Sequence, residues 1–232
     1  MKSVHKILIT LTAFILCISI LAPRTGVAQS VTAATKKRIS IGVGLYTDIW
    51  MNTPDGMKTR TINQGVQLFA TYNVPFGKSI FSFAIGAGLS VHNLFWNYRF
   101  QGDSLNFQFV KVDETKISYK RSKLSMPNIE VPIEFRMKTR SKISVGIGFK
   151  AAYNIYAHAK WVGDDYLFNT TNQLRVSFKG IKNLENFSYG PTVRVGYKWF
   201  NVNAYYSMTS IFVKDKGPDI YPISIGFLLI PF

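Results

Sequence analysis

Apolar residues alternate with small or polar ones over unusually long stretches of this chain, and a period of two specifies β-strands with different surroundings on their two faces. Between 143 and 161, one face carries Ile143, Val145, Ile147, Phe149, Ala151, Tyr153, Ile155, Ala157, Ala159 and Trp161. The other carries Ser144, Gly146, Gly148, Lys150, Ala152, Asn154, Tyr156, His158 and Lys160. The pattern recurs in Ile39, Ile41, Val43 and Leu45 against Ser40, Gly42 and Gly44, and in Phe81, Phe83, Ile85, Leu89 and Val91 against Ser82, Gly86, Gly88, Ser90 and His92. A water-soluble sandwich would also alternate. Three features favour lipid instead. The runs reach about ten residues or more, whereas soluble strands average about five or six and membrane strands need about 9 to 11. The small or polar face carries Glu130, Glu134, Lys150 and Arg194, which suits a narrow polar lumen. The apolar face ends in Tyr, Trp and Phe, as an aromatic girdle requires.

Eight strands are expected, at roughly 37–49, 62–73, 79–97, 117–137, 142–160, 186–197, 200–211 and 220–232. Their connections alternate in length. The joints at 73–78, 138–141 and 198–199 are short, and those at 50–61, 98–116, 161–185 and 212–219 are long. A soluble meander has no reason to keep its long loops at one end. An eight-stranded, antiparallel, up-and-down transmembrane β-barrel of the bacterial outer membrane does, with short periplasmic turns, long outer loops and both termini in the periplasm. Closure also removes the unpaired edges that such strands would present. The last strand ends in Phe232 and changes parity, with Ile223, Ile225 and Phe227 on one face and Leu228, Ile230 and Phe232 on the other; a bulge or burial at the seam would account for this.

The amino terminus reads as a cleaved secretory signal peptide. Lys2, His5 and Lys6 precede an apolar run from Ile7 to Leu21, and the small residues Gly26-Val27-Ala28 precede Gln29. The run is about 15 residues, short of the roughly 20 needed to span a bilayer. The expected organisation is a signal peptide over 1–28, a short periplasmic segment over 29–36 and a barrel over 37–232. The single cysteine, Cys17, falls in the signal peptide, so the exported chain is expected to lack disulfides, thiol nucleophiles and Cys-ligated metal. The 28 Lys+Arg against 12 Asp+Glu give a net charge of +16, but no basic groove-reading helix accompanies them, and nucleic acid is not an expected partner.

At Pro127-Asn-Ile-Glu-Val-Pro-Ile-Glu-Phe-Arg136, followed by a basic turn and Ile143-Ser-Val-Gly-Ile-Gly-Phe-Lys-Ala-Ala-Tyr153, the chain resembles the PorT-like outer-membrane β-barrels abundant in Bacteroidetes. The closing stretch Lys216-Gly-Pro-Asp-Ile-Tyr-Pro-Ile-Ser-Ile-Gly-Phe227 is similar to the same group. The resemblance implies fold and location. The family takes its name from a component of the type IX secretion apparatus, yet most barrels with this pattern have no assigned role, so no functional residue is carried over.

The candidate chemistry is modest. With lumen faces matched, Glu130 is expected opposite Lys150, with Glu134, Arg136 and Arg194 completing a salt-bridged lumen; the alternative is an ion pathway. His92 and His158 are both assigned to the lumen face, with Asp48 or Ser90 as possible neighbours of a catalytic histidine. No nucleophile elbow, metal-ligand cluster or phosphate loop accompanies them, so no catalytic residue, cofactor or metal is expected. Lys116, Lys120, Arg121 and Lys123, with Lys160, Arg175, Lys179 and Lys182 beside the third long loop, could meet lipopolysaccharide phosphates or simply face solvent. In that loop Trp161, Tyr166 and Phe168 are unusually apolar, as a cap over the barrel mouth or a partner-docking site would be. The function expected is a non-enzymatic outer-membrane protein with a structural or accessory role in the envelope. The alternatives are an accessory subunit of a secretion or surface-assembly complex, with a protein partner, and a small lipid-modifying enzyme built on the histidines.

Overall fold

The computed structural model of the chain describes residues 38–101, 108–166, 170–181 and 183–230. The expected signal peptide, the segment 29–36, Phe168, Lys182 and Phe232 lie outside them. Twelve strands follow in order: β1 (Ile39–Met51), β2 (Gln64–Pro75), β3 (Phe81–Phe95), β4 (Tyr98–Gln101), β5 (Gln108–Lys111), β6 (Tyr119–Lys138), β7 (Ile143–Asn154), β8 (His158–Asp165), β9 (Thr170–Lys179), β10 (Phe187–Tyr197), β11 (Phe200–Tyr206) and β12 (Tyr221–Leu229). Eight of them form a closed antiparallel barrel in the order β1-β2-β3-β6-β7-β10-β11-β12, with β12 returning to β1 and β3 pairing with β6. Period-two sequence yields this ring because each strand buries one face inside it and leaves the other outside.

The outer face is what a bilayer requires. Leu45, Val66, Leu68, Ile85, Leu89, Ile129, Ile147, Val193 and Phe227 all point outward and are exposed. At the end of the short turns this belt is rimmed by Tyr72, Phe76, Phe81, Phe135, Tyr197 and Trp199, and at the other end by Tyr153, Tyr156, Phe187, Tyr189 and Tyr206. Exposed apolar area of this extent would drive aggregation in water, whereas amphipathic rings favour the two interfaces of a membrane. The short turns are tight, with Lys142 (φ 65°) and Lys198 (φ 55°) in the left-handed region that such hairpins use.

Three expectations need correction. The long connections 98–116 and 161–185 are not structureless: β4 pairs with β5, and β8 pairs with β9 to extend the sheet beyond the ring. The expected strand 200–211 ends at Tyr206, and the chain then turns inward, burying Ile211 and Phe212. Most consequential, the alternation across 143–161 is not one strand. Asn128 pairs with Asn154, yet Ser125 pairs with His158, so three residues on one side span two on the other. This one-residue bulge moves every later side chain to the opposite face. Ala157, Ala159 and Trp161 are therefore buried, and His158 faces outward instead of into the lumen. The parity change in β12 has no bulge behind it. Its pairing with β1 is continuous, and Leu228 points inward to fill the space above Gly44.

Candidate functional site: the filled lumen and the basic outer wall

The lumen is layered. Nearest the short turns, Arg194 and Arg136 both pair with Glu134, the latter through Nε at 2.6 Å, and Arg136 also donates to the side-chain oxygen of Asn73. One level up, Lys150 Nζ stands 3.0 Å from Glu130 Oε2 and 3.9 Å from the centre of the Tyr205 ring. The Glu130 contact is an ion pair without hydrogen-bond geometry, leaving both carboxylate oxygens without a hydrogen bond. Next come Asp48, His92 and Ser224. Ser224 donates to Asp48 Oδ1 at 2.6 Å, and His92 Nδ1 lies 3.0 Å from Oδ2. Above them Trp50, Leu94, Trp96, Leu124, Met126, Ala159, Ile211, Phe212 and Ile220 close the long-loop end as an apolar plug.

Sequence placed Glu130 opposite Lys150, and the register differs by two residues. Glu130 lies across from Ala152 and Lys150 from Pro132, so the ions meet on the diagonal, within reach of long side chains. What makes room is glycine. Glu130 lies across from Gly88, Glu134 from Gly148, Arg136 and Arg194 from Gly146, and Lys150 from Gly190. A Cβ at Gly148 would sit 2.8 Å from Glu134 Cγ and 2.2 Å from the Ile133 carbonyl oxygen. Each large ion thus fills the volume that a neighbouring strand leaves vacant. An eight-stranded ring is just wide enough for such filling and leaves no aqueous channel.

The histidines do not come together. His92 is buried on Asp48, whereas His158 is on the outer wall. Asp48 fixes the orientation of His92, but among the described residues no hydroxyl hydrogen-bonds its ring, and Ser90 has no bond to it. His92 borders a cavity of about 40 Å³ with Asn128, Asn154, Ser188 and Tyr205, which is room for a few waters. Among the described residues no group of acids, histidines or cysteines could hold a metal.

The cations are distributed differently from the sequence expectation. Lys116 stands apart, 3.5 Å from Asp113, and Lys120 occupies an irregularity between Tyr119 and Arg121. Arg121 and Lys123, however, are on the outward face of β6, and Lys160 sits directly across from Lys123. On β9, Arg175 pairs with Val162 and Lys179 with His158, so the same face of the three-stranded sheet carries Arg121, Lys123, His158, Lys160, Arg175 and Lys179. Asp164 lies at its end, with the Ser118 backbone N–H donating to its carboxylate. Burial pushes the Lys123 ammonium below its usual range, with repulsion from Arg121 and Lys160 adding to the effect. Burial lowers His158 too, followed by Lys123, Lys160 and Lys179. This wall begins where the apolar belt ends: on β6 the outward residues run from Ile129 through Pro127 and Ser125 to Lys123. The opposite face of the same sheet is buried. Trp161 packs against Tyr119 and Tyr166, joined by Val112 and Leu174, so these aromatics are spent on self-packing.

No single strand shows the basic wall. Its signal was present only as a fivefold recurrence of Lys or Arg at alternate positions on three segments, and those segments could not be aligned without the bulge.

A family profile described as outer membrane protein beta-barrel domain matches residues 28–213. No curated protein matches the chain. Among solved structures, Ail, the attachment invasion locus protein of Yersinia pestis, is similar at 14% identity and a TM-score of 0.40, covering 83% of this chain and 97% of its own. The same protein in complex with the heparin analogue sucrose octasulfate gives 14% identity and a TM-score of 0.39, with the same coverage.

Proposed function

The chain belongs to the outer membrane protein beta-barrel domain family, and on that premise we propose that it is a non-enzymatic structural barrel of the envelope, anchored laterally by lipopolysaccharide phosphates on its basic wall. The observation that carries this reading is the position of Arg121, Lys123, Lys160, Arg175 and Lys179 on one face directly beyond the lipid-facing belt, where the carboxylate of Asp164 is engaged by the Ser118 backbone N–H. Phosphate groups of an outer-leaflet lipid would stand at that height, and each cation near such a surface contributes about 1 kcal/mol. The filled lumen argues against a pore, and the lack of a hydroxyl bonded to His92 among the described residues argues against hydrolysis or acyl transfer there. Within the family, the resemblance favours the PorT-like group, with both termini in the periplasm. Because Trp161 and Tyr166 are packed inward, the aromatic surface that would favour a secretion-complex partner is not available at those residues.

The test is binding of the refolded barrel to vesicles containing bis-phosphorylated lipid A, compared with neutral vesicles. A quadruple variant with Lys123, Lys160, Arg175 and Lys179 each changed to Gln should lose roughly a thousandfold in preference for the phosphorylated lipid while remaining heat-modifiable. Equal binding by the variant and the native protein would reject the anchoring role.

A further inference from the structure

Closure leaves the eight barrel strands without free edges, but among the described residues the hairpin β8–β9 restores one. β9 pairs with β8 along one side, and among the described residues nothing hydrogen-bonds to its backbone from the other. It is ten residues long, TTNQLRVSFK, without proline or glycine and rich in strand-forming side chains. Such an edge is a template for another strand, and proteins that do not use one blunt it by shortening, bulging or proline. Here an irregularity at Thr171 and Asn172 interrupts only the start of the strand, and over Gln173–Lys179 only charge is applied, of one sign.

That charge indicates the kind of strand the edge would accept. Two copies of β9 paired antiparallel with cationic faces together set Arg175 against Arg175 or Lys179, a like-charge opposition that disfavours self-association. Carboxylates at alternate positions of an incoming strand would instead meet Arg175 and Lys179, with Lys160 one strand further in. The other face of β9, with Leu174, Val176 and Phe178, is half-buried against the hairpin's own core, so alternate positions of the incoming strand would extend an apolar layer. We propose that the free edge of β9 is a docking site for an extended acidic segment of a partner protein, which adds to the sheet as its next strand. Backbone pairing supplies the affinity and the acidic alternation the selectivity.

The probe is a fluorescent decapeptide alternating Glu with Val, titrated by anisotropy against the full barrel in nanodiscs of neutral lipid, so that phosphate cannot compete. Two control peptides separate the contributions. One replaces Glu with Lys; the other keeps the sequence but carries N-methyl groups on alternate residues, along the edge that would face β9. The Glu peptide should bind, and the N-methylated peptide should bind at least about tenfold more weakly, since several backbone hydrogen bonds are lost. The Lys peptide should bind weakly to the native barrel and more tightly than the Glu peptide to the R175E/K179E variant. No binding by the Glu peptide, or equal binding by its N-methylated form, would overturn the proposal; the latter would show charge attraction without strand addition. Failure here leaves the lipid-phosphate reading untouched, because no phosphate is present in the assay.

Discussion

Changing Glu134 to Gln is the sharpest perturbation of the lumen. Among the described residues Glu134 is the only acid contacted by both Arg136 and Arg194, whose side chains are 14% and 7% exposed. The amide preserves volume and one acceptor but leaves two guanidinium groups facing each other in a largely enclosed space. Removing one partner of a buried ion pair costs about 3–5 kcal/mol, and the retained acceptor places the expected loss near the lower limit, about 3 kcal/mol. Adding Arg194→Met should recover most of it, because the apolar chain fills the same volume and Arg136 keeps its bond to Asn73 near the rim. The assay is urea unfolding of the barrel folded into phospholipid vesicles, followed by tryptophan emission and by heat-modifiable mobility. A loss below about 1 kcal/mol for Glu134→Gln, with no recovery in the double variant, would mean that water solvates these cations and the lumen is not filled.

Gly148→Ala should destabilise by about 1–3 kcal/mol, since its methyl would meet the Ile133 carbonyl oxygen at 2.2 Å; the shift in urea midpoint measures it. Deleting Tyr156 removes the extra residue of the bulge while leaving His158 across from Ser125 and Trp161 across from Ser122, so Trp161 stays inward. Unchanged resistance of the β8–β9 hairpin to proteolysis is the expected result, and accelerated cleavage would contradict the register. The lowered pKa of His158 arises from burial and from Lys123, Lys160 and Lys179, so a bound phosphate would raise it again. The complex then binds more protons than the free barrel, and affinity for phosphorylated lipid should increase as pH falls through the range in which the phosphate-bound imidazole titrates. His158→Gln should abolish that dependence while leaving binding at pH 8 unchanged.

Much of the architecture was legible because the two solvents of a barrel impose a strict period. The alternation located all eight wall strands, and charged residues on the small-residue face identified Glu130, Glu134, Lys150 and Arg194 as lumen groups. The exact pairing was not legible: side chains as long as Lys150 and Glu130 tolerate a two-residue offset, so composition could not distinguish direct from diagonal contact. The bulge was hidden because Ala157 and Ala159 fit either face, which let the apolar pattern continue through a reversal of direction. The same small residues concealed the outward turn of His158 and with it the basic wall. Residues 161–179 read as loop in the sequence because the apolar faces of β8 and β9, Trp161 with Val176 and Ala159 with Phe178, are completed only by pairing with each other and with β6.

The central claim is that the barrel crosses the membrane with its lumen closed by its own side chains. Insertion of the purified protein into a planar lipid bilayer tests it directly. No stepwise current is expected at 1 M KCl up to about 100 mV, because ion pairs and the apolar plug occlude an eight-stranded ring. Reproducible open steps whose conductance rises with salt concentration, lost in a protein-free control, would contradict it.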